Sequence, residues 1–340
     1  MGLHVVFRAD ASANLGGGHI SRCLALADSL ALSGCACTFA TKSATMDAAP
    51  LLGKSAHRIV ASSDVDCFDA LSRLIGMRAD LLVVDHYELG GEFERGCKSW
   101  CRKILAIDDL ANRHHECDFL VDQTLGRKPE DYHHLVSPQC MLLLGPGYAL
   151  LRPSFASLRS VALQRRTGDV RRILVSIGGS DPHDITSMAL RAIRAAGYRE
   201  KLDVVVGSIS PNCEAVRALV SSIGPSAALH IDTPHMAELM LDADLAIGAC
   251  GVTSWERCTL GLPTLAVMAA DNQRMIAREL VRCGAVEYGG EWAELSEESL
   301  STKIRLLLND PMKVRVMAMA AADVCDGEGL QHIVSTVCKS

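Results

Sequence analysis

The 340-residue sequence predicts an α/β protein built from two doubly wound, Rossmann-like domains facing one another across a cleft. Short continuous apolar runs alternate with helical patterns, as expected of parallel strands covered on both faces. The scheme restarts after a charged stretch near the middle of the chain. The length also exceeds the roughly 250–300 residues at which one core stops growing. With 49% hydrophobic and 22% charged residues, the composition supports two ordinary globular cores.

The first half opens on a strand over 4–7, a glycine-rich turn, and a helix over 20–32 that carries Ile20, Leu24, Ala27 and Ala31 on one face. A strand over 35–40 follows, then strands over 81–84, 104–107, 119–121 and 141–144. The second half repeats the pattern with strands over 173–177, 202–206, 229–231, 245–247 and 264–267, separated by helices over 185–196, 214–222, 236–241 and 254–260. Residues 1–156 therefore form the first domain and 171–340 the second, and the charged stretch 157–170 forms the linker. The tail from Pro311 to Cys338 reads as helices able to pack back across the cleft.

A net charge of −6 provides no basic footprint for displacing counterions from a phosphate backbone, which argues against a nucleic-acid partner. Arg8 and Asp10 interrupt the opening residues before an apolar signal segment could form, and no run approaches the ~20 apolar residues of a membrane span. The expected location is the cytoplasm. The 14 cysteines are scattered and contain no Cys-x-x-Cys pair, so they read as reduced, buried small hydrophobes and not as a zinc or redox centre.

Gly16-Gly17-Gly18-His19 stands between the first strand and the first helix. Glycines admit close backbone approach, and the helix start attracts anions. This is no dinucleotide fingerprint, because Ser21 replaces the third glycine and Thr41-Lys42 ends the second strand where an acid would hold a ribose. Gly53-Lys54-Ser55 lacks the upstream glycine of a P-loop, Ala48 standing there instead. The positive helix end disfavours the imidazolium of His19, which suits a general base; a local capping role fits the position equally well.

Gly178-Gly179-Ser180-Asp181 and Gly248-Ala249-Cys250-Gly251-Val252-Thr253-Ser254-Trp255-Glu256 follow strands in the second half. Each offers backbone amides to a phosphate, and Glu256 is either a partner of the helix dipole or a chelator of ribose hydroxyls. Three such turns imply a nucleotide-diphosphate ligand. Asp85 and Asp108 also end strands, where bonding to loop amides is favoured over metal binding. The pairs His114-His115 and His133-His134 lie in polar loops and do not read as a metal site.

Arg8-Ala9-Asp10, Gly16-Gly17-Gly18-His19-Ile20-Ser21-Arg22-Cys23, Val84-Asp85-His86-Tyr87, Ile107-Asp108-Asp109-Leu110-Ala111 and Tyr148-Ala149-Leu150-Leu151-Arg152-Pro153-x-Phe155 resemble the nucleotide-sugar hydrolase family of pseudaminic acid biosynthesis. Gly178-Gly179-Ser180-Asp181, Trp255-Glu256-Arg257, Gly261-Leu262-Pro263 and Asn272-Gln273 continue the match in order. The turn at Gly251-Val252-Thr253-Ser254 departs from it, since the family more often has glycine at the place of Cys250. That family in turn resembles the GT-B glycosyltransferases, especially the enzyme that adds N-acetylglucosamine in peptidoglycan synthesis.

The resemblance implies a small-molecule UDP-sugar substrate hydrolysed with inversion, with His19 as catalytic base and no cofactor or metal. It implies UDP held mainly by the second domain, with the diphosphate near Gly178, Gly179 and Ser254 and the ribose near Glu256, while Ser180, Asp181 and Gly251 join the expected substrate-binding set. Gly16, Gly17, Gly18, Arg22, Tyr87, Asn272 and Gln273 complete the expected substrate-binding set. Two other readings stay open, a GT-B glycosyltransferase and a non-catalytic nucleotide-sugar-binding module. Protein partners are not legible.

Overall fold

A computed structural model describes residues 2–12 and 17–339. The chain divides into two compact units, Met1–Arg152 with Glu328–Ser340, and Pro153–Gly327.

The first unit is built on seven strands, β1 (His4–Ala9), β2 (Ala36–Thr41), β3 (Arg58–Ala61), β4 (Ala79–Asp85), β5 (Cys101–Ile107), β6 (Phe119–Asp122) and β7 (Met141–Leu144). They form one parallel sheet in the order β3-β2-β1-β4-β5-β6-β7. Val5, Val6, Phe7 and Ala9 are all at most 1% exposed, which explains why the central strand reads as an unbroken apolar run. Phe7 and Phe39 stack with ring centroids 4.9 Å apart, worth roughly 0.5–1.5 kcal/mol beyond their area burial. The helices here are α1 (Gly18–Leu32), α2 (Thr45–Ala48), α3 (Pro50–Gly53), α4 (Phe68–Ile75) and α5 (Gly91–Cys97). Cys23, Cys37, Cys97 and Cys117 pack in the two cores of this unit as small apolar residues.

The second unit contains α6 (Pro153–Gln164), β8 (Arg172–Ser176), α7 (Ile185–Ala195), β9 (Lys201–Val206), α8 (Cys213–Ile223), β10 (Ala227–Ile231), α9 (Met236–Asp242), β11 (Leu245–Ala249), α10 (Thr253–Thr259), β12 (Thr264–Met268), α11 (Arg274–Arg282), β13 (Val286–Glu291), α12 (Glu297–Leu308) and α13 (Pro311–Val324). Its six parallel strands run β10-β9-β8-β11-β12-β13. Ser296 starts α12 by accepting from the Ser299 N–H at 3.1 Å, and Asp310 starts α13 by accepting from the Lys313 N–H at 2.9 Å.

Two boundaries differ from the sequence reading. Most of the expected linker 157–170 is helical, since α6 runs to Gln164, and its arginines are tied down: Arg159 donates to the carbonyls of Thr259 and Ala322 at 2.7 and 2.8 Å. Its charged residues had disguised a helix whose arginines satisfy buried carbonyls. The tail also divides. Beyond α13, the last helix α14 (Gly329–Lys339) belongs to the first unit, where Leu330 and Ile333, three residues apart on one face, enter the core with Leu26 and Leu30 of α1. The second unit therefore stops at Gly327 and not at residue 340.

In each sheet the winding direction reverses once, between β1 and β4 and between β8 and β11. In doubly wound sheets ligands bind outside the carboxyl ends of the strands at that reversal. The sequence-predicted glycine turns follow β1, β8 and β11, so both reversals are flanked by them.

Candidate active site

At the reversal in the first unit, β1 leads into α1 and β4 ends at Asp85. His19 is the second residue of α1 and Arg22 follows one turn later, so both side chains face the end of β4. His19 Nδ1 lies 2.6 Å from Asp85 Oδ1. Arg22 clamps the same carboxylate with two bonds of 2.6 Å, Nε to Oδ2 and Nη2 to Oδ1. His19, Arg22 and Asp85 are 7%, 3% and 1% exposed.

Burial would push the Asp85 carboxyl up, but the charges of Arg22 and His19 and their hydrogen bonds outweigh it and hold the group far below the ordinary carboxylate range. Burial alone would lower Arg22, whereas the charge of Asp85 raises it well above its usual value. An ionised carboxylate only accepts, so His19 Nδ1 must carry the proton it shares with Oδ1. The 3.2 Å approach of Arg22 Nη2 to His19 Nδ1 is then two donors meeting at one oxygen. With Nδ1 so fixed, Nε2 is the nitrogen that accepts when the ring is neutral. A ring oriented by a buried acid in this way is the arrangement a general base requires.

Tyr87, two residues beyond Asp85, meets the His19 ring edge to face at 4.8 Å between centroids, and its hydroxyl donates to Asp109 Oδ2 at 3.5 Å. Arg22 Nη1 reaches the same Asp109 oxygen at 3.3 Å. His19, Arg22 and Tyr87 are thus brought together with Asp85 and Asp109. Gly17 caps α1 and Gly18 opens it, whereas Gly16 lies outside the described residues.

The sequence reading favoured loop amides as partners of Asp85 and Asp108. Asp108 does bond the Ala111 and Leu110 N–H groups, at 2.9 and 3.4 Å, and accepts from Arg113 and Tyr132 as well. Asp85 instead takes up the histidine and the arginine, because β4 lies beside β1 and ends where α1 begins. Among the described residues one group, Asp10, Asp66 and His86, has the spacing of a metal site. Its acids are already engaged: Arg8 donates to both Asp10 and Asp66, and Lys42 Nζ sits 2.7 Å from Asp66. His86 Nδ1 accepts from the Glu88 N–H at 3.1 Å, which leaves Nε2 as the protonated nitrogen facing Asp10 at 3.5 Å. The donor set fits an internal ion-pair cluster better than a cation. His115, read as a loop residue, is buried and shares a proton with Glu94 at 2.7 Å.

At the reversal in the second unit, the turn after β8 contains Gly178, whose φ of +129° lies in a region L side chains rarely adopt. Gly179 and Ser180 continue the turn. Asp181, expected in the substrate-binding set, is 4% exposed and accepts from the Ile185 and Thr186 N–H groups at 3.0 and 2.8 Å, so it caps the start of α7. Its carboxylate occupies the helix end that an anion would otherwise use. After β11, Gly251 lies beside Gln273, whose Oε1 accepts from the Ala269 N–H at 3.0 Å and whose Nε2 would be 3.7 Å from a Cβ at Gly251. Asn272 and Gln273 share the short turn that precedes α11, and Glu256 sits in the first turn of α10.

A residue the motif analysis had not singled out lies beneath this turn. Arg257, 2% exposed, folds back and donates to Ala249 O at 2.6 Å, to Ser254 Oγ at 3.2 Å and, through Nη1, to Thr253 Oγ1 at 3.2 Å. A Cβ at Gly248 would stand 2.5 Å from Arg257 Nη1, so the glycine in β11 makes room for the guanidinium. A glycine inside an otherwise apolar strand, nine residues before an arginine, was the available signal.

Residues 175–335 match the glycosyltransferase family 28 C-terminal domain. The chain is 25% identical over 80% of its length to an uncharacterized protein of Methanocaldococcus jannaschii, of which it spans 57%. It is 26% identical to the spore coat polysaccharide biosynthesis protein SpsG of Bacillus subtilis, covering 98% of this chain and 97% of that one. It is 25% identical to the UDP-2,4-diacetamido-2,4,6-trideoxy-beta-L-altropyranose hydrolase of Campylobacter jejuni, over 84% of this chain and 99% of that one. The crystal structure of MurG from Acinetobacter baumannii superposes with a TM-score of 0.68 at 17% identity, covering 99% of this chain and all of that one. Among the described residues no helix is long and apolar enough to cross a membrane. The chain has the GT-B fold, resembles the nucleotide-sugar hydrolase to which its motifs pointed, and matches the family 28 domain over residues 175–335.

Proposed function

We propose that this chain is a cytoplasmic hydrolase that cleaves a UDP-linked 2,4-diacetamido-2,4,6-trideoxy-hexose at its anomeric carbon, with inversion, releasing UDP and the free sugar of the pseudaminic acid pathway. The observation that carries the reading is the fixed tautomer of His19: its Nδ1 is bound to the buried Asp85 and its Nε2 is left to accept a proton. The hydrolase name of the Campylobacter relative supports the substrate class. In the reaction Nε2 takes a proton from water as the water oxygen bonds to the anomeric carbon. The bond from that carbon to the phosphate oxygen breaks, and UDP leaves with the electron pair. UDP requires charge stabilisation and no proton, and backbone amides with hydroxyl donors supply that without a metal. Tyr87 and the Asn272–Gln273 turn contact the sugar. The backbone at Gly178 and Gly179, with Ser180, Gly251 and Ser254, receives the diphosphate, and Glu256 holds the ribose.

The test is turnover of the UDP-sugar alone, followed by NMR of the released anomer. His19→Asn is expected to keep UDP affinity within a few-fold and to lower kcat by about 10²–10⁴, the usual contribution of a positioned base. EDTA should leave wild-type kcat intact. Normal turnover by the variant sinks the assignment. The family 28 match favours a second reading, transfer of the sugar to an acceptor hydroxyl. Release of UDP only when an acceptor is added would select it.

A further inference from the structure

Arg257 holds a full positive charge almost entirely out of water. All three groups it donates to, Ala249 O, Ser254 Oγ and Thr253 Oγ1, are neutral. No carboxylate forms an ion pair with it among the described residues, and burial pulls its pKa below the usual arginine value although the neighbouring Glu256 charge opposes the shift. Removing a charge from water without a counter-charge costs several kcal/mol. The fold has nevertheless placed a glycine at position 248 to admit this guanidinium. Packing alone does not explain the choice, since an apolar side chain of similar volume would fill the space without that cost.

Hydroxyl geometry supplies the second half of the argument. Each hydroxyl has one proton, and both Thr253 Oγ1 and Ser254 Oγ spend a lone pair accepting from Arg257. Their protons must therefore point away from the guanidinium. The only internal acceptor for the Ser254 proton among the described residues is Ala249 O, at a long 3.5 Å. Thr253 is only half-buried. The turn thus offers the half-buried Thr253 hydroxyl, with the buried Ser254 hydroxyl held to Ala249 O by only a long bond, above a cation on which Glu256 acts without forming an ion pair, and the Gln273 amide lies alongside.

We infer that Arg257 is a positioning residue that charges the 249–254 turn for a phosphate-type oxyanion, acting through Thr253 and Ser254 and not by touching the ligand. The inference deepens the UDP-sugar reading and rests on it for the identity of the ligand, the diphosphate of the nucleotide.

The experiment is calorimetric titration of the full chain with inorganic pyrophosphate and, separately, with UDP, beside thermal melts of the ligand-free protein. Arg257→Met should weaken both ligands roughly 10–100-fold, the range expected for losing charge-assisted hydrogen bonding. The ligand-free Tm should stay level or rise, because an apolar chain replaces an unpaired buried charge. Arg257→Lys keeps the charge and should recover part of the affinity. Unchanged pyrophosphate affinity in folded Arg257→Met overturns the inference, and a lowered Tm beside it makes the arginine purely structural. If that variant does not fold, Thr253→Val with Ser254→Ala removes the outward donors while leaving Arg257; unchanged affinity there also overturns it. Wild type binding pyrophosphate but not UDP leaves the inference standing and ends the nucleotide reading. Wild type binding neither overturns both.

Discussion

Each unit buries an arginine beside its reversal of sheet winding, after the first strand in one and after the fourth in the other, and the two use it in opposite ways. Arg22 of α1 and Arg257 of α10 both lie at a reversal of sheet winding, and both are nearly inaccessible, at 3% and 2% exposure. Arg22 meets a carboxylate in bidentate geometry, and its charge is neutralised by Asp85. Arg257 donates only to neutral oxygens and forms no ion pair among the described residues. The first arrangement is closed: the pair has no net charge, and its product is a histidine held in one tautomer. The second is open and is completed by an anion. A buried arginine therefore does not by itself mark a binding site; whether its charge is balanced from within decides what it is for.

The strongest way to break this contrast is Asp85→Asn. The amide removes the charge that fixes the His19 tautomer and leaves the buried Arg22 with only the longer 3.3 Å contact to Asp109 as a charged partner. The expected result is a kcat lower by about 10²–10⁴ and a fold less stable by about 3–5 kcal/mol, read from turnover and urea melts. The equivalent operation in the second unit, Arg257→Met, should cost ligand affinity but no stability. A destabilised Arg257→Met beside a fully stable Asp85→Asn would mean that the two arginines have been assigned the wrong way round.

Acid sharpens the same comparison. The folded Asp85 carboxyl lies below its ordinary value of 3.8, so its ionisation contributes stability that is fully present above that value and lost as pH falls towards the folded one. Asp10 is likewise held down, by His86 and Arg8 against burial, and contributes in the same direction. Urea midpoints should therefore fall between about pH 5 and pH 2. Combining Asp85→Asn with Arg22→Met removes the charged pair, so the double variant should show a shallower fall over that window. An identical slope would mean that the pair is not the acid-sensitive element.

The sheets were readable because their central strands are buried on both faces, as at Val5–Phe7 and Leu81–Val84. The edge strands β3 and β13 were not: Arg58–Ala61 is half-exposed, and Val286–Glu291 carries two acids and two glycines. His19 was legible because a glycine turn announces it. Its partner was not, since Asp85 lies 66 residues away and reaches it only through the adjacency of β1 and β4. Arg257 was quoted within a matching motif yet given no role, because a charged residue on a helix ordinarily faces water. The docking of α14 was hidden for a related reason: apolar spacing says that a face is buried, not what buries it.

The smallest expected effect concerns Asp181, where the motif suggested a substrate contact and the structure has a helix cap. The two roles separate cleanly in Asp181→Asn. Asp181 accepts through both carboxylate oxygens, Oδ1 from Ile185 and Oδ2 from Thr186, so asparagine keeps one acceptor and turns its NH2 towards the other amide, and stability should fall by about 1–3 kcal/mol. Removing a negative charge close to Gly178 and Gly179 should leave pyrophosphate affinity level or raise it by up to a few-fold. An acid that contacted the substrate through an amide or hydroxyl would behave differently: its replacement would weaken binding of the intact UDP-sugar while barely moving that of pyrophosphate. Titrating both ligands against Asp181→Asn, with urea melts alongside, distinguishes the two. A loss of UDP-sugar affinity without a loss of stability would return Asp181 to the binding set and leave the capping of α7 incidental.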